Sequence, residues 1–178
     1  MLETKKKERP TNWIIEQIKL IAPKRKIQVL DFASGNGRNS IHLAEKDKII
    51  TAIDWDRQKL KEYENYNYIN TICFDLETDE EWPLKNEYYD IIIVVNYLYR
   101  PKIKKLINLL NNGGHLFYET FALGNEKYGS PKNPDYLLKD KELLNLFSKE
   151  NEILSYFNGV LTEDKISVKQ RCLIKKAS

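Results

Sequence analysis

The chain has 178 residues, room for one domain with a full core and too few for two comfortable ones. Hydrophobic residues at 42% and charged residues at 31% describe a soluble globular protein, and no apolar run approaches the ~20 residues of a membrane span. Its 29 basic and 26 acidic residues leave a net charge of +3, too slight to argue for a nucleic-acid partner.

Residues 1–10 read as a charged, flexible leader without the apolar core of a secretory signal, which predicts a cytoplasmic protein, and residues 11–178 read as the single domain. Pro10-Thr11-Asn12 starts a helix with Ile14, Ile18 and Ile21 at helical spacing, ended by Pro23. The apolar run Ile27 to Phe32 predicts a buried strand. Ala33, Ser34, Gly35 and Gly37 then make a tight turn, and Ile41, Leu43 and Ala44 lie in a following helix. Gly35 and Gly37 allow positive φ and the close approach of a ligand to the helix start. A dinucleotide site wants G-x-G-x-x-G, but the third position is Ser40. Asp31, four residues before Gly35, would repel a phosphate and suit a cationic ligand. S-adenosylmethionine, with an ammonium, a sulfonium and no phosphate, matches that charge pattern.

The motif D-x-A-x-G-x-G followed by Arg38-Asn39-Ser40 resembles motif I of class I S-adenosylmethionine-dependent methyltransferases, and Gly35 to Ser40 with His42-Leu43-Ala44 is similar to the tellurite-resistance branch. The resemblance implies cofactor contacts from Asp31, Ala33, Gly35, Gly37 and Arg38. It also implies that the leading helix lies near the cofactor, so that Trp13 is either a lid or core.

Farther along, Ile49 to Ile53 predicts a strand ending in Asp54, an acid placed to accept from both hydroxyls of a ribose, and Trp55 follows as a surface for adenine. A charged helix from Arg57 to about Glu64 leads to a strand over Ile69 to Phe74. In the methyltransferase pattern Asp75 and Leu76 would meet the adenine, although Asp75 also fits a helix N-cap. Asp90 to Val95 is apolar on both faces and belongs in the middle of a parallel sheet. It ends at Asn96-Tyr97-Leu98-Tyr99, where donor and acceptor should meet and where Asn96 would touch cofactor. No N/D-P-P-Y/F/W motif follows, which argues against methylation of an adenine exocyclic amine or a glutamine amide, and no Pro-Cys nucleophile is present, which argues against pyrimidine C5 methylation.

Ile103, Leu106, Ile107 and Leu110 predict a helix closed by Asn111-Asn112-Gly113-Gly114, with a strand over His115 to Thr120. Residues 121–136 are expected to form a long loop, a lid or substrate wall. From Tyr118 to Leu138 the chain resembles a bacterial group of small methyltransferases with Y-E-T-F-x-x-G-N-E-x-F/Y-G-x-P-x-N-P-D-F/Y-L-L. Asp140 is placed to cap a last helix, and Glu152 to Phe157 with Ile166 to Ile174 read as a terminal hairpin. Arg171 in that apolar strand needs a partner, either an anionic substrate or a carboxylate such as Glu119.

The expected fold is α/β: a Rossmann-like seven-stranded, mostly parallel sheet with helices on both faces and a C-terminal antiparallel hairpin. His42 is expected in the core, Cys73 and Cys172 are expected as reduced core thiols, and no metal site is expected. Tyr97, Tyr118, Glu119, Tyr128 and Arg171 remain as positioning or proton-handling candidates. Lacking an obvious base, the site suits a small soft nucleophile: sulfide, a small thiol or a related chalcogen species. The alternatives are an RNA or protein methyltransferase using the clusters Lys5 to Lys7, Lys24 to Lys26 and Arg100 to Lys105, or a noncatalytic cofactor-binding partner protein. Either a monomer or a small homo-oligomer is expected, with no membrane partner.

Overall fold

A computed structural model describes residues 9–163 and 165–177, so residues 1–8 of the expected leader and Lys5 to Lys7 lie outside the described residues. The seven strands form one mixed sheet in the order β3-β2-β1-β4-β5-β7-β6, the class expected from the sequence. The chain divides into two compact units, Met1–Leu76 and Glu77–Ser178.

In the first unit, α1 (Asn12–Ile21) buries Ile14, Ile15 and Ile18 and stops where Pro23 removes the next donor, Ala22 closing on the Ile18 carbonyl. Trp13 lies half-buried on this helix. Strand β1 (Ile27–Phe32) runs parallel to β2 (Lys48–Asp54), which runs parallel to β3 (Ile69–Cys73). Parallel pairing brings the carboxyl ends of all three strands to one edge. The glycine turn after β1, Asp54 closing β2 and Asp75 just beyond β3 therefore share that edge. The helices between them, α2 (Arg38–Leu43) and α3 (Arg57–Lys61), are shorter than the sequence pattern predicts. Asp56 caps α3 by accepting from the Gln58 and Lys59 amides.

In the second unit, β4 (Tyr89–Val95) pairs parallel with β5 (Leu110–Phe121), and a hairpin of β6 (Asn151–Leu161) and β7 (Ser167–Lys176) adds antiparallel to β5. Leu116, Phe117, Tyr118, Leu173 and Ile174 fill its core. Between β4 and β5 the chain makes a 3₁₀ turn, Arg100–Lys105, and one turn of helix, α4 (Leu106–Leu109). The double glycine does not stop the helix. It lies within β5, where the register shifts between Tyr89 and Ile91 and Gly113 takes φ +72°. A Cβ at Gly114 would sit 2.9 Å from the Asn111 carbonyl oxygen. Nor does Asp140 cap α5 (Glu142–Phe147): Lys141, at φ 53°, precedes that helix, while Asp140 accepts from the Asn158 amide at 2.9 Å.

The segment over 121–136 is closed at its base by a bridge between Ala122 and Leu138. Asn125, buried, accepts from the Val168 amide at 3.1 Å and donates to the Pro131 carbonyl at 3.3 Å. Arg100 reaches across from the 3₁₀ turn to the Leu137 carbonyl at 2.8 Å and both oxygens of Glu142 at 2.6 and 3.0 Å. The expected loop is thus anchored by side chains of its own unit.

Candidate active site

The turn after β1 is wound through three positive φ angles, Ala33 at 56°, Gly35 at 54° and Gly37 at 68°. The two glycines are required for different reasons. A Cβ at Gly37 would lie 2.7 Å from the Tyr63 ring, so this glycine admits a side chain of its own protein. A Cβ at Gly35 meets nothing within 4 Å, so open space stands beside that residue. Tyr63, fully buried, bonds the Ser34 hydroxyl at 2.8 Å and donates to the Gly35 carbonyl at 3.2 Å, clasping the turn from below. Burial pushes its phenol above the usual range. The sequence reading missed Tyr63; the signal was there, because Leu60 and Tyr63 are spaced i,i+3 in the otherwise polar stretch from Arg57 to Glu64.

Two carboxylates fix the same turn. Asp54 accepts the Gly35 amide on one oxygen at 2.8 Å and the Asp56 amide on the other at 2.9 Å. Each oxygen keeps a lone pair beyond these bonds, which is what a ribose diol needs. Because Asp54 takes the Gly35 amide, that N–H is not offered to an anion. Asp31 is also placed differently from the expectation of a ligand-facing acid. It is buried and accepts from both the Ser40 amide (3.1 Å) and hydroxyl (2.6 Å), pinning α2 to the end of β1. Desolvation pushes its carboxyl up to about 7. Trp55, next to Asp54, is 70% exposed. Arg38 starts α2 half-buried, Asp75 is exposed and Leu76 is buried.

A carboxylate diol grip, a bare glycine beside open space and an exposed indole fit an adenosyl group. The absence of a free turn amide at Gly35, with the Asp54 carboxylate behind it, fits a cation better than a phosphate. Asp54, Gly35 and Trp55 would hold such a group, with Asp31 and Tyr63 supporting them.

In the second unit three of the predicted residues, Asn96, Glu119 and Arg171, meet in one cluster. Glu119 on β5 stands opposite Arg171 on β7 and is 2% exposed. One of its oxygens accepts Arg171 Nε at 2.6 Å and the other accepts Lys169 Nζ at 2.7 Å. Arg171 turns both terminal nitrogens to Glu163 at 2.8 Å each, which holds the Glu163 carboxyl below its usual range. Lys169 also donates to Asn96 Oδ1 at 2.8 Å and lies 4.8 Å from the centroid of the Phe121 ring. Asn96 itself is exposed at the carboxyl end of β4, with φ 57°.

Of the two partners weighed for Arg171, the carboxylate Glu119 is the one the structure supplies, with Glu163 beside it. Lys169 and Glu163 were missed, since their partners lie 50 and 8 residues away in sequence and no local pattern joins them. Tyr118 does not handle protons here. It is buried, donates to the Tyr97 carbonyl at 2.9 Å, and burial drives its phenol far above the usual range. Tyr97 is half-buried, and Tyr128 is 49% exposed on the 121–136 segment.

Two further expectations are corrected. His42 is exposed rather than in the core, because α2 turns Asn39, Ser40 and Leu43 inward. Cys73 is exposed at the end of β3, whereas Cys172 is a buried thiol pushed up to about 12 by desolvation. In the Arg100 to Lys105 cluster, Lys102 donates to the Thr78 and Glu80 carbonyls and Lys105 pairs with Glu81. With Arg100 on Glu142, most of that charge is used inside the unit. No group of metal-ligating side chains occurs among the described residues.

A family model described as a methyltransferase domain matches residues 29–114. No curated protein sequence matches the chain. Among solved structures, the chain is similar to TehB from Haemophilus influenzae, with 22% identity, TM-score 0.71, and 94% of this chain covering 62% of that one. It is similar to a SAM-dependent methyltransferase from Methanosarcina mazei, with 16% identity, TM-score 0.71, and 96% of this chain covering 99% of that one. It is also similar to the CurJ carbon methyltransferase, with 17% identity, TM-score 0.65, and 93% of this chain covering 52% of that one. These likenesses bear out the resemblance read from the glycine turn. At such identities they establish the fold.

Proposed function

We propose that this protein methylates a small soluble acceptor at sulfur or a related chalcogen, a reading supported by the match of residues 29–114 to a methyltransferase domain model and by the fold shared with S-adenosylmethionine-dependent methyltransferases. Hydrosulfide and small thiols are the favoured acceptors. When bound, S-adenosylmethionine supplies a methyl carbon already activated on a sulfonium. The protein's part is to grip the nucleoside, exclude water and present the acceptor.

One observation carries the choice of acceptor. Two of the proton-handling candidates are engaged: Glu119 is locked between two cations and Tyr118 is bonded to a backbone carbonyl. An acceptor that arrives ionised near neutral pH needs no base: hydrosulfide meets that condition, and thiols, with a pKa of ~8.5, come far closer to it than alcohols do. The engaged Arg100 to Lys105 cluster weighs against an RNA acceptor.

The test incubates purified protein and methyl-labelled S-adenosylmethionine with hydrosulfide, a panel of thiols, alcohols, amines and bulk RNA, with product mass as the readout. Methylated sulfur products are expected. Label in RNA or amines, with none in any sulfur acceptor, would overturn the reading.

A further inference from the structure

We propose that Arg171 is a seat for a carboxylate carried by the acceptor, and that Glu163 fills this seat as an internal stand-in. The proposal rests on the small-acceptor reading above and narrows it to small acids bearing a soft nucleophile, such as mercapto acids.

The argument begins with charge. Lys169 and Arg171, whose side chains are 11% and 10% exposed, share one buried carboxylate, Glu119. Two nearly buried cations against one anion leave an excess positive charge that burial makes costly. The missing anion comes from Glu163, whose side chain is 45% exposed, on the turn between β6 and β7. Three of the four charges are thus fixed on paired strands, at the register positions Glu119↔Arg171 and Phe121↔Lys169. The fourth sits in water on a turn.

The geometry of that fourth contact names the ligand. Glu163 presents two oxygens to two nitrogens of one guanidinium, each at 2.8 Å, the planar fork that arginine offers to carboxylates. A carboxylate from solution can make the same pair of bonds, and a half-exposed glutamate, already solvated, gives way more readily than Glu119 would.

The cluster also reaches the carboxyl end of β4. Lysine has only donors, so the Asn96 atom facing Lys169 is its oxygen, at the carboxyl end of β4. Asn96, Lys169, Glu119 and Arg171 form one continuous line of contacts from that strand end to the seat. A cationic thiol would meet two like charges there.

The test uses propionate, which carries the carboxylate and no sulfur, so it reads the seat without methyl transfer. The Arg171 Nε–H resonance, assigned with Arg171→Lys, is followed through a propionate titration of the full chain and of Glu163→Gln. A saturable shift is expected in both, at least tenfold tighter in Glu163→Gln. No shift in either, or equal midpoints, would overturn the proposal. Thermal midpoints within 2 °C check that the exposed substitution leaves the fold intact, and Glu163→Asp, which keeps the charge, is expected to bind propionate as weakly as the parent.

In parallel, turnover is compared for mercaptoacetate, 2-mercaptoethanol and cysteamine, with kcat/KM expected at least tenfold higher for the acid than for cysteamine. If propionate binds while none of the thiols is methylated, the sulfur-acceptor reading fails and the seat stands. If all three are methylated equally and propionate produces no shift, the seat fails and the sulfur reading stands.

Discussion

The two units hold their candidate groups by opposite means. In the first, carboxylates and a phenol grip backbone atoms: Asp54 holds Gly35, Asp31 holds Ser40 and Tyr63 holds Ser34, across separations of 19, 9 and 29 residues. In the second, charges grip charges across 50 and 52 residues, as in the pairing of Lys169 and Arg171 with Glu119. Backbone-directed bonds fix the path of a turn and leave a shaped surface. A charge network fixes the direction of a field and leaves it ready to meet another charge. The first device suits a cofactor that is always the same molecule, and the second suits an acceptor chosen by its charge.

That contrast is broken most severely at Glu119. Glu119→Gln leaves two nearly buried cations facing a neutral amide, and a loss of about 3 to 5 kcal/mol in unfolding free energy is expected by denaturant titration. A loss under about 1 kcal/mol would mean that the cluster is solvated rather than structural.

On the other side, Gly37→Ala drives a methyl to 2.7 Å from the Tyr63 ring at φ +68°. Strain and overpacking together should cost about 3 kcal/mol. Gly35→Ala, with open space around its Cβ, should cost only about 1 kcal/mol from its left-handed backbone. Calorimetry with S-adenosylhomocysteine should show affinity lost in Gly35→Ala even though that chain folds. Unimpaired affinity there would remove Gly35 from the cradle.

The smallest effect is one of pH. Asp31 keeps its proton in the folded protein to about pH 7, above its ordinary value of 3.8, so the folded state binds more protons than the unfolded chain between those limits. Its contribution to stability is therefore complete at low pH and is lost as pH rises through 7, by about 1 kcal/mol between pH 6 and pH 8. Asp31→Asn, whose amide oxygen can still accept from Ser40, should flatten that slope in unfolding curves at the two pH values. An unchanged slope would assign it to other groups.

The division between the units also marks what could be read in advance. Asp31, Gly35, Gly37 and Asp54 lie within one strand-turn-helix-strand stretch, where periodicity and spacing carry the information, and the sequence placed all four on one edge of the sheet. The role of Asp31 was misjudged because spacing does not say which way a strand-end carboxylate faces. Gly113 and Gly114 read as a helix stop because glycine signals a break without saying whether it is a cap or a bulge.

The sequence by itself determined the order of strands and helices, the glycine turn and the class of fold, since these follow from local propensity and short-range spacing. The tertiary structure alone decided that Arg171 meets Glu119 and Glu163, that Lys169 joins Glu119 to Asn96, and that Tyr63 fills the space Gly37 leaves. Those contacts depend on strand register and on side chains brought together from far along the chain, and a carboxylate or a cation carries no mark in the sequence of the partner it will find.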